Sequence, residues 1–273
     1  MSFEAQEQAL FDLLFDAPLR ERFRARGGAA LDAYDLDEAE VRDFLQIRPD
    51  ALELDARLRT SMVLSQLCVA FPVTFAMLSS LGPAAELLQQ FVDPATMRAA
   101  PVLRAAHFGS RLRDALAASE PEADDPLTGM IAFLDAELAM AWRGAELRRE
   151  VIDGAGPPAP PAAIDGDWQA QPIRLAPQVS AVATPVPYSF AKSLLCPVSD
   201  RELWRHLAET PTTADEVAGL LAMPDPRLLV ARAALERDSR CEPDVSQQTV
   251  ELSEGFAPLL RHADGTRSTT WIL

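Results

Sequence analysis

A proline-rich stretch near the middle of the chain constrains its fold more than any other feature. Residues 154–163 read Gly-Ala-Gly-Pro-Pro-Ala-Pro-Pro-Ala-Ala. Such a sequence favours an extended spacer and offers no side chain that could build a core. We therefore predict a linker at residues 153–170. It divides a chain of 273 residues, which is long enough for two domains.

The region before the linker is dominated by helical periodicity. Apolar residues recur at intervals of three and four, and Asp16, Asp37 and Asp50 are placed to open helices. The longest early helix carries a stripe that begins at Leu54, Leu58 and Met62, and Pro72 should end it. We predict a mainly α N-terminal domain made of a helical module at residues 1–57 and a helical domain at residues 58–152. The first helix is expected over about residues 3–14. Asp16 should open the second, which ends at Gly27, Asp37 should open the third, and the fourth should run from Asp50 to Phe71. Further helices are expected at about 83–92, 96–118 and 126–150.

The region after the linker mixes the two kinds of secondary structure. Prolines among β-branched residues predict short strands within residues 173–186, and residues 188–194 also show strand-like alternation. Helices are expected at about 199–209, 213–222 and 226–238, followed by strands at 249–252 and 268–273. This order predicts an α+β, winged-helix-like C-terminal domain at residues 171–273.

The charge of the chain limits its partners. The formal net charge is −16, and acidic residues outnumber basic ones in each third of the sequence. Because phosphate neutralisation supplies most non-specific nucleic-acid affinity, we expect no nucleic-acid partner, and an anionic membrane surface is equally unfavourable. There are three cysteines, an odd number without metal-binding spacing. With no signal peptide or long apolar run, the sequence indicates a cytoplasmic protein.

The sequence contains no recognisable catalytic or metal-binding motif. His107, His206 and His262 lie in different segments, and ordinary packing or surface positions explain each of them. Nucleophile motifs and phosphate-binding glycine loops are missing. We therefore expect no catalytic residues, no metal ligands and no cofactor in this chain.

The single lysine of the chain marks a candidate binding strand. In a strand, alternation would place Tyr188, Phe190, Lys192 and Leu194 on one face. A cation beside two aromatic rings on an exposed sheet edge suits an extended peptide added as a strand. The alternative is an ordinary edge strand with a solubilising lysine.

Four runs in the helical region resemble a known group of proteins. They are residues 59–62, which read Arg-Thr-Ser-Met; residues 70–74, which read Ala-Phe-Pro-Val-Thr; residues 106–109, which read Ala-His-Phe-Gly; and residues 133–142, which contain Ala-Glu-Leu. These runs are similar to the helical partner proteins of multinuclear non-haem iron oxygenases, which modify ribosomally made peptides such as methanobactin and thiaglutamate precursors. The family pattern has paired asparagines in the first run and Leu-Glu-Trp in the last, where this chain differs.

The C-terminal region resembles a second element of the same systems. Residues 173–179, 203–209 and 213–221 are similar to the leader-peptide recognition element, a winged helix with a groove between a strand and a helix. The resemblance implies a non-catalytic partner subunit. The oxygenase would hold the iron, and this chain would bind it and present the leader of a precursor peptide. Carried onto this sequence, the leader would lie beside residues 188–194 and against a helix bearing Leu228, Leu229, Arg232 and Leu235.

Two other functions remain open from the sequence. Residues 212–221 and 226–237 could form a helix-turn-helix of a DNA-binding transcriptional regulator, with basic character from Arg227, Arg232, Arg237 and Arg240. The acidic surroundings oppose that alternative. The other is an independent enzyme whose site is too dispersed for a motif search.

Overall fold

The fold is mostly helical, with a small three-stranded antiparallel sheet. The computed structural model describes residues 3–122, 125–154, 172–176, 178–237, 243–261 and 263–268. The expected order, an α-rich region followed by a region of mixed α and β structure, is confirmed. Residues 155–170 of the predicted linker, residue 171 and residues 269–273 of the predicted last strand lie outside the described residues. So do Cys241 and His262.

Most helices before the predicted linker follow the predicted order, but the helix at Pro72–Ser79 was not predicted. The helices of this region are α1 (Phe3–Phe15), α2 (Ala17–Arg26), α3 (Glu38–Leu45), α4 (Pro49–Ala70), α5 (Pro72–Ser79), α6 (Ala84–Gln89), α7 (Pro94–Arg98), α8 (Arg104–Ala117) and α9 (Pro126–Ile152).

Local signals set many of these boundaries. Asp16 accepts a hydrogen bond from the backbone N of Leu19 at 2.9 Å, and Asp37 opens α3 with Glu40 as the reciprocal partner of a capping box. Pro72 separates α4 from α5, and the two helices are bent by 118° relative to each other. The predicted break at this proline is confirmed.

The prediction of one helix over residues 96–118 was wrong. The structure has α7, then a 3₁₀ turn over Pro101–Leu103, then α8. Pro101 supplies no N–H and disfavours helical geometry at the residue before it. One proline therefore converts a single expected helix into two.

The first part of the apolar stripe predicted on α4 faces outward, whereas its continuation at Leu67 and Phe71 is buried. Leu54, Leu58 and Met62 are 59%, 56% and 65% exposed, whereas the buried residues of α4 lie on another face. Those residues are Leu52, Ala56, Val63, Leu64, Leu67 and Cys68. Both sets satisfy helical spacing, and contact with other helices selects which set is buried.

The elements after the predicted linker form a three-stranded sheet, a separate two-stranded sheet and four α-helices in the described residues. They are β1 (Pro172–Arg174), β2 (Val179–Thr184), α10 (Tyr188–Leu195), α11 (Asp200–Glu209), α12 (Ala214–Leu221), β3 (Arg227–Arg237), β4 (Pro243–Ser253), α13 (Ala257–Arg261) and β5 (Asp264–Ser268). The sheet has the order β2-β3-β4, and both pairs are antiparallel. β1 pairs separately with β5.

Two of the C-terminal elements have the opposite structure to the one predicted. The expected strand at residues 188–194 is helix α10, and the expected helix at residues 226–238 is strand β3. The helix-turn-helix considered for DNA binding therefore loses its second helix. In α10 the buried residues Tyr188, Ala191 and Leu195 fall at helical intervals. In β3, Leu229, Ala231 and Ala233 alternate towards the core.

The core crosses the linker. Its largest buried cluster joins residues of α4, α5, α8 and α9 to residues of β2, β3 and α10–α12. The regions predicted as separate domains at 58–152 and 171–273 thus share one hydrophobic core in their described residues. A second cluster, from Ala9 to Ala56, belongs to residues 1–57, and partly buried Phe15 packs against both clusters.

Among the described residues, no helix alone has the length and apolar composition needed to cross a membrane. The bent pair α4 and α5 meets these two requirements only when its helices are taken together.

Candidate peptide-binding cleft

The predicted peptide-binding residues do not form one surface. Tyr188 is buried, Phe190 and Leu194 are 43% and 47% exposed on α10, and the Lys192 ammonium lies 2.9 Å from the Asp200 carboxylate on α11. Because the expected strand is a helix, these side chains point in different directions rather than sharing one face of a strand.

The predicted residues on β3 also separate. Alternation places Leu228 and Arg232 on the sheet face away from α9, whereas Leu235 packs with Leu147 of α9 on the opposite face. Leu228 is buried, and Arg232 is exposed. The predicted peptide-binding residues therefore occupy a helix and both faces of a sheet.

The two edges of the sheet offer an alternative place for an extended peptide. The backbone N of Ala233 donates to the carbonyl O of Gln178 at 3.0 Å. In an antiparallel pair, hydrogen-bonded positions alternate, so Ser180, Val182 and Thr184 direct their backbone groups to β3. The backbone groups of Ala181 and Ala183 then point away from the sheet. The same alternation applies to β4, the strand at the opposite edge of the sheet. There the backbone groups of Thr249 point away from β3.

A cleft lies beside the end of β2. It has a volume of about 620 Å³ and is bounded by the start of α9, the end of β2 and the last turn of α12. Residues that line it are mostly small and apolar: Gly129, Ala132, Ala183, Pro185, Ala218 and Leu221. The combination is a groove between a strand edge and a helix.

The polar side chains in the cleft wall already have intramolecular partners. Asp125 accepts a hydrogen bond from the backbone N of Leu127 at 2.8 Å. Thr128 donates to the carbonyl O of Glu122 at 2.7 Å, and Thr184 donates to the carbonyl O of Arg227 at 3.5 Å. A bound chain would therefore meet apolar surface and the edge backbone of β2.

Gly129 keeps α9 close to α12. A Cβ atom at this position would lie 2.6 Å from Leu221 Cδ2 and 2.9 Å from Leu221 Cδ1. A larger residue would push Leu221 towards the cleft or separate the helices. None of the cleft residues was among the peptide-binding residues predicted from the sequence, because α9, β2 and α12 meet only in the tertiary structure.

A buried carboxylate, Glu137 of α9, lies in the core rather than in this cleft. It accepts hydrogen bonds from the backbone N of Val73 at 2.9 Å, the backbone N of Thr74 at 3.1 Å and the hydroxyl of Tyr188 at 2.9 Å. Burial raises its pKa from 4.5 to about 7, although the hydrogen bonds act in the opposite direction. Its partners are backbone donors and a phenol, which is the environment of a structural carboxylate.

The sequence contained a signal for this residue that the motif search did not use. Glu137 follows Met130 by seven positions and Phe133 by four, so it lies on the apolar face of α9. A charged residue on such a face needs partners in the core. The N-terminus of α5, which lacks a side-chain cap of its own, supplies two of them.

Three of the runs that carry the family resemblance meet at this place. The ring of Phe71 and Leu138 Cδ1 approach Gly109 so closely that a Cβ atom there would lie 2.5 Å and 2.9 Å from them. Together with the hydrogen bonds from Val73 and Thr74 to Glu137, this contact joins residues 70–74, 106–109 and 133–142 in one buried cluster. These matched residues pack the core.

The described cysteines are poor nucleophiles. Burial raises the pKa of the Cys68 thiol well above its ordinary value and raises the pKa of Cys196 to about 12. His107 stacks edge-on against Trp142, with ring centres 5.6 Å apart. In the part of the chain that the structure describes, no three His, Cys, Asp or Glu side chains converge as a metal site would require.

Comparisons of the chain with protein-family models, with curated proteins and with solved structures gave no match.

Proposed function

We propose that this chain is a non-catalytic partner subunit of a multinuclear non-haem iron oxygenase. It binds the oxygenase and presents the leader of a ribosomally synthesised precursor peptide for oxidative modification. The oxygenase carries the iron and performs the chemistry. The resemblance of the four helical runs supports the first part of this proposal, and the cleft supports the second.

The observation that carries the peptide-binding part is the strand edge of β2 beside an apolar cleft. An extended peptide added to this edge would pair with the backbone of Ala181 and Ala183. Alternate side chains of the peptide would enter the cleft against Ala218 and Leu221. Because the lining is apolar, small or branched apolar side chains of the leader fit it best.

The order of elements supports a winged-helix-like peptide-recognition module. β2 is followed by three helices and then by the hairpin of β3 and β4. The sequence predicted three helices between the strands, and the structure also has three, α10, α11 and α12. The number is unchanged because α10 stands where a strand was predicted and β3 stands where a helix was predicted. The groove shifts accordingly, from residues 188–194 to the edge of β2 and α12.

A proline scan of the two sheet edges tests the peptide-binding part. Ala183→Pro removes an outward N–H at the edge of β2 without removing a hydrogen bond to β3. We expect it to weaken binding of a fluorescently labelled leader, taken from a precursor peptide that co-purifies with the chain, by at least about tenfold, measured by anisotropy. Thr249→Pro, which makes the same change at the edge of β4, is the matched control and should alter the dissociation constant by less than about twofold.

Thermal melts of both variants check that the sheet is intact. Equal weakening by the two variants, or none by Ala183→Pro, would reject the β2 edge. The partnership itself is tested separately by co-purification with a neighbouring iron oxygenase. An oxygenase that forms no complex with this chain and is fully active alone would reject it.

A further inference from the structure

A second cleft lies beside α4 and differs in character from the cleft beside β2. It has a volume of about 840 Å³ and is bounded by α1, α2, α4 and α6. Its lining is rich in polar and charged side chains, among them Arg20, Arg24, Glu53, Arg57, Ser61 and Gln89. A volume of this size is typical of small-molecule sites.

Three arginines converge on one carboxylate in this cleft. The Nε atoms of Arg20 and Arg57 donate to the two oxygens of Glu53 at 3.2 Å and 3.1 Å. Arg24 lies 3.6 Å from the same carboxylate, which is too long for a hydrogen bond. Burial acts to raise the pKa of Glu53, but the charge of Arg20 and the hydrogen bonds from Arg57 and Arg20 outweigh it, so this pKa lies below its ordinary value.

The three arginines have different roles. Arg20 is mostly buried and also donates to the carbonyl O atoms of Leu13 and Leu14 at 3.2 Å and 3.0 Å, so it holds the end of α1 in place. Arg24 and Arg57 are 55% and 73% exposed. Their guanidinium groups therefore face solvent at the cleft with donors that Glu53 does not occupy.

This excess of guanidinium groups is unusual in a chain with a net charge of −16. A structural role needs only one arginine to neutralise Glu53, and Arg20 provides it from a buried position. Glu21 and Glu86 also line the cleft, so its three arginines are matched by three glutamates, and the excess of positive charge is confined to the surroundings of Glu53. Such an arrangement favours a compact anion over an extended polyanion.

We propose that this cleft binds a small anion that carries a carboxylate or phosphate group, held by Arg24 and Arg57. The planar guanidinium groups match both kinds of oxyanion in bidentate geometry. The ligand would lie against the polar side chains of Ser61 and Gln89. This site is independent of the peptide cleft beside β2.

Calorimetric titration of the full chain with inorganic phosphate and, separately, with citrate tests the proposal at constant ionic strength, because added salt screens exposed charges. We expect saturable binding of at least one of the two ions, and the better ligand identifies which oxyanion the site prefers. Arg24→Gln and Arg57→Gln should each raise its dissociation constant by about tenfold, the effect of losing one charge-assisted hydrogen bond.

Arg59→Gln is the matched control. Arg59 lies on the same helix, is also exposed and pairs with Asp55 four residues earlier, as Arg57 pairs with Glu53, but it is outside the cleft lining. It should change the dissociation constant by less than about twofold. The proposal is overturned by the lack of saturable binding of both ions, or by equal weakening in the Arg57 and Arg59 variants. Melting temperatures without ligand confirm that each variant is folded.

Discussion

At the scale of single residues, Glu137 connects three helices through one carboxylate. It caps the N-terminus of α5 and accepts a hydrogen bond from Tyr188, the first residue of α10. Because the helix N-terminus carries partial positive charge, a carboxylate is well placed there. Burial nevertheless favours the neutral form, since desolvation is the largest influence on its pKa.

The stability of the protein should therefore depend on the protonation of Glu137. Its pKa rises from 4.5 to about 7 on folding, so the folded state binds this proton more tightly than the unfolded state. The stabilisation that comes from protonated Glu137 is complete below pH 4.5 and disappears as the pH rises to about 7. The free energy of unfolding falls by about 3 kcal/mol over this range because of this group. Urea unfolding at pH 5.5 and pH 8 should show about 2 kcal/mol of this difference, because part of it is already lost at pH 5.5.

Glu137→Gln is the control for this pH dependence. The amide keeps the size of the side chain, but its NH₂ group faces a backbone donor, so we expect a variant less stable by about 1–3 kcal/mol. Its free energy of unfolding should change much less between the two pH values. An equal slope in both proteins would show that another group is responsible.

At the scale of elements, glycines decide how closely the helices of the core approach. α8 meets Phe71, at the break between α4 and α5, through Gly109, and the atoms around this position leave no room for a Cβ. Gly219 on α12 is also helical, but a Cβ there would meet nothing within 4 Å. Glycine lowers the stability of either helix by the same intrinsic amount. The two positions therefore differ only in the atoms that surround them.

Alanine substitutions at these two positions should have opposite effects. Gly109→Ala forces Phe71 and Leu138 to move in a packed core, and we expect a loss of about 1–3 kcal/mol. Gly219→Ala has space and gains helix propensity, so it should stabilise the protein by about 0.5–1 kcal/mol. Chemical denaturation of both variants measures the difference. A neutral or stabilising Gly109→Ala would contradict the packing of residues 70–74, 106–109 and 133–142 against one another.

At the scale of the whole molecule, α9 joins the two sides of the linker. It packs against α5 and α8 before the linker and against β2 and β3 after it. Leu229 and Ala231 of β3 belong to the same buried cluster as Phe133 and Leu134 of α9. The hydrophobic surface that either part would expose alone is therefore large.

Cutting the chain at the linker should leave its two parts associated. A protease site in place of residues 157–162 would allow cleavage after folding, and the fragments should elute together in size-exclusion chromatography under native conditions. In this cleaved protein, Leu229→Ala removes buried contacts between the parts worth about 2–5 kcal/mol and should promote their separation. Fragments that separate without any such substitution would show that the shared core contributes little.

The sequence alone determined the features that depend on neighbouring residues. Capping aspartates placed the starts of α2, α3 and α9, Pro72 placed the break after α4, and the order of an α-rich region before a mixed region followed from periodicity and proline content. Such signals act within about one helical turn, so they can be recognised without the rest of the fold.

Only the tertiary structure decided which of two acceptable periodicities each short segment adopts. Residues 188–195 fit a strand by alternation and a helix by the spacing of Tyr188, Ala191 and Leu195, and β3 presented the same ambiguity in reverse. Contacts with α9 and the neighbouring strands resolve both. The outward stripe of α4, the partners of Glu137 and the two clefts depend on residues far apart in the sequence, whose approach is fixed by packing and by no local signal.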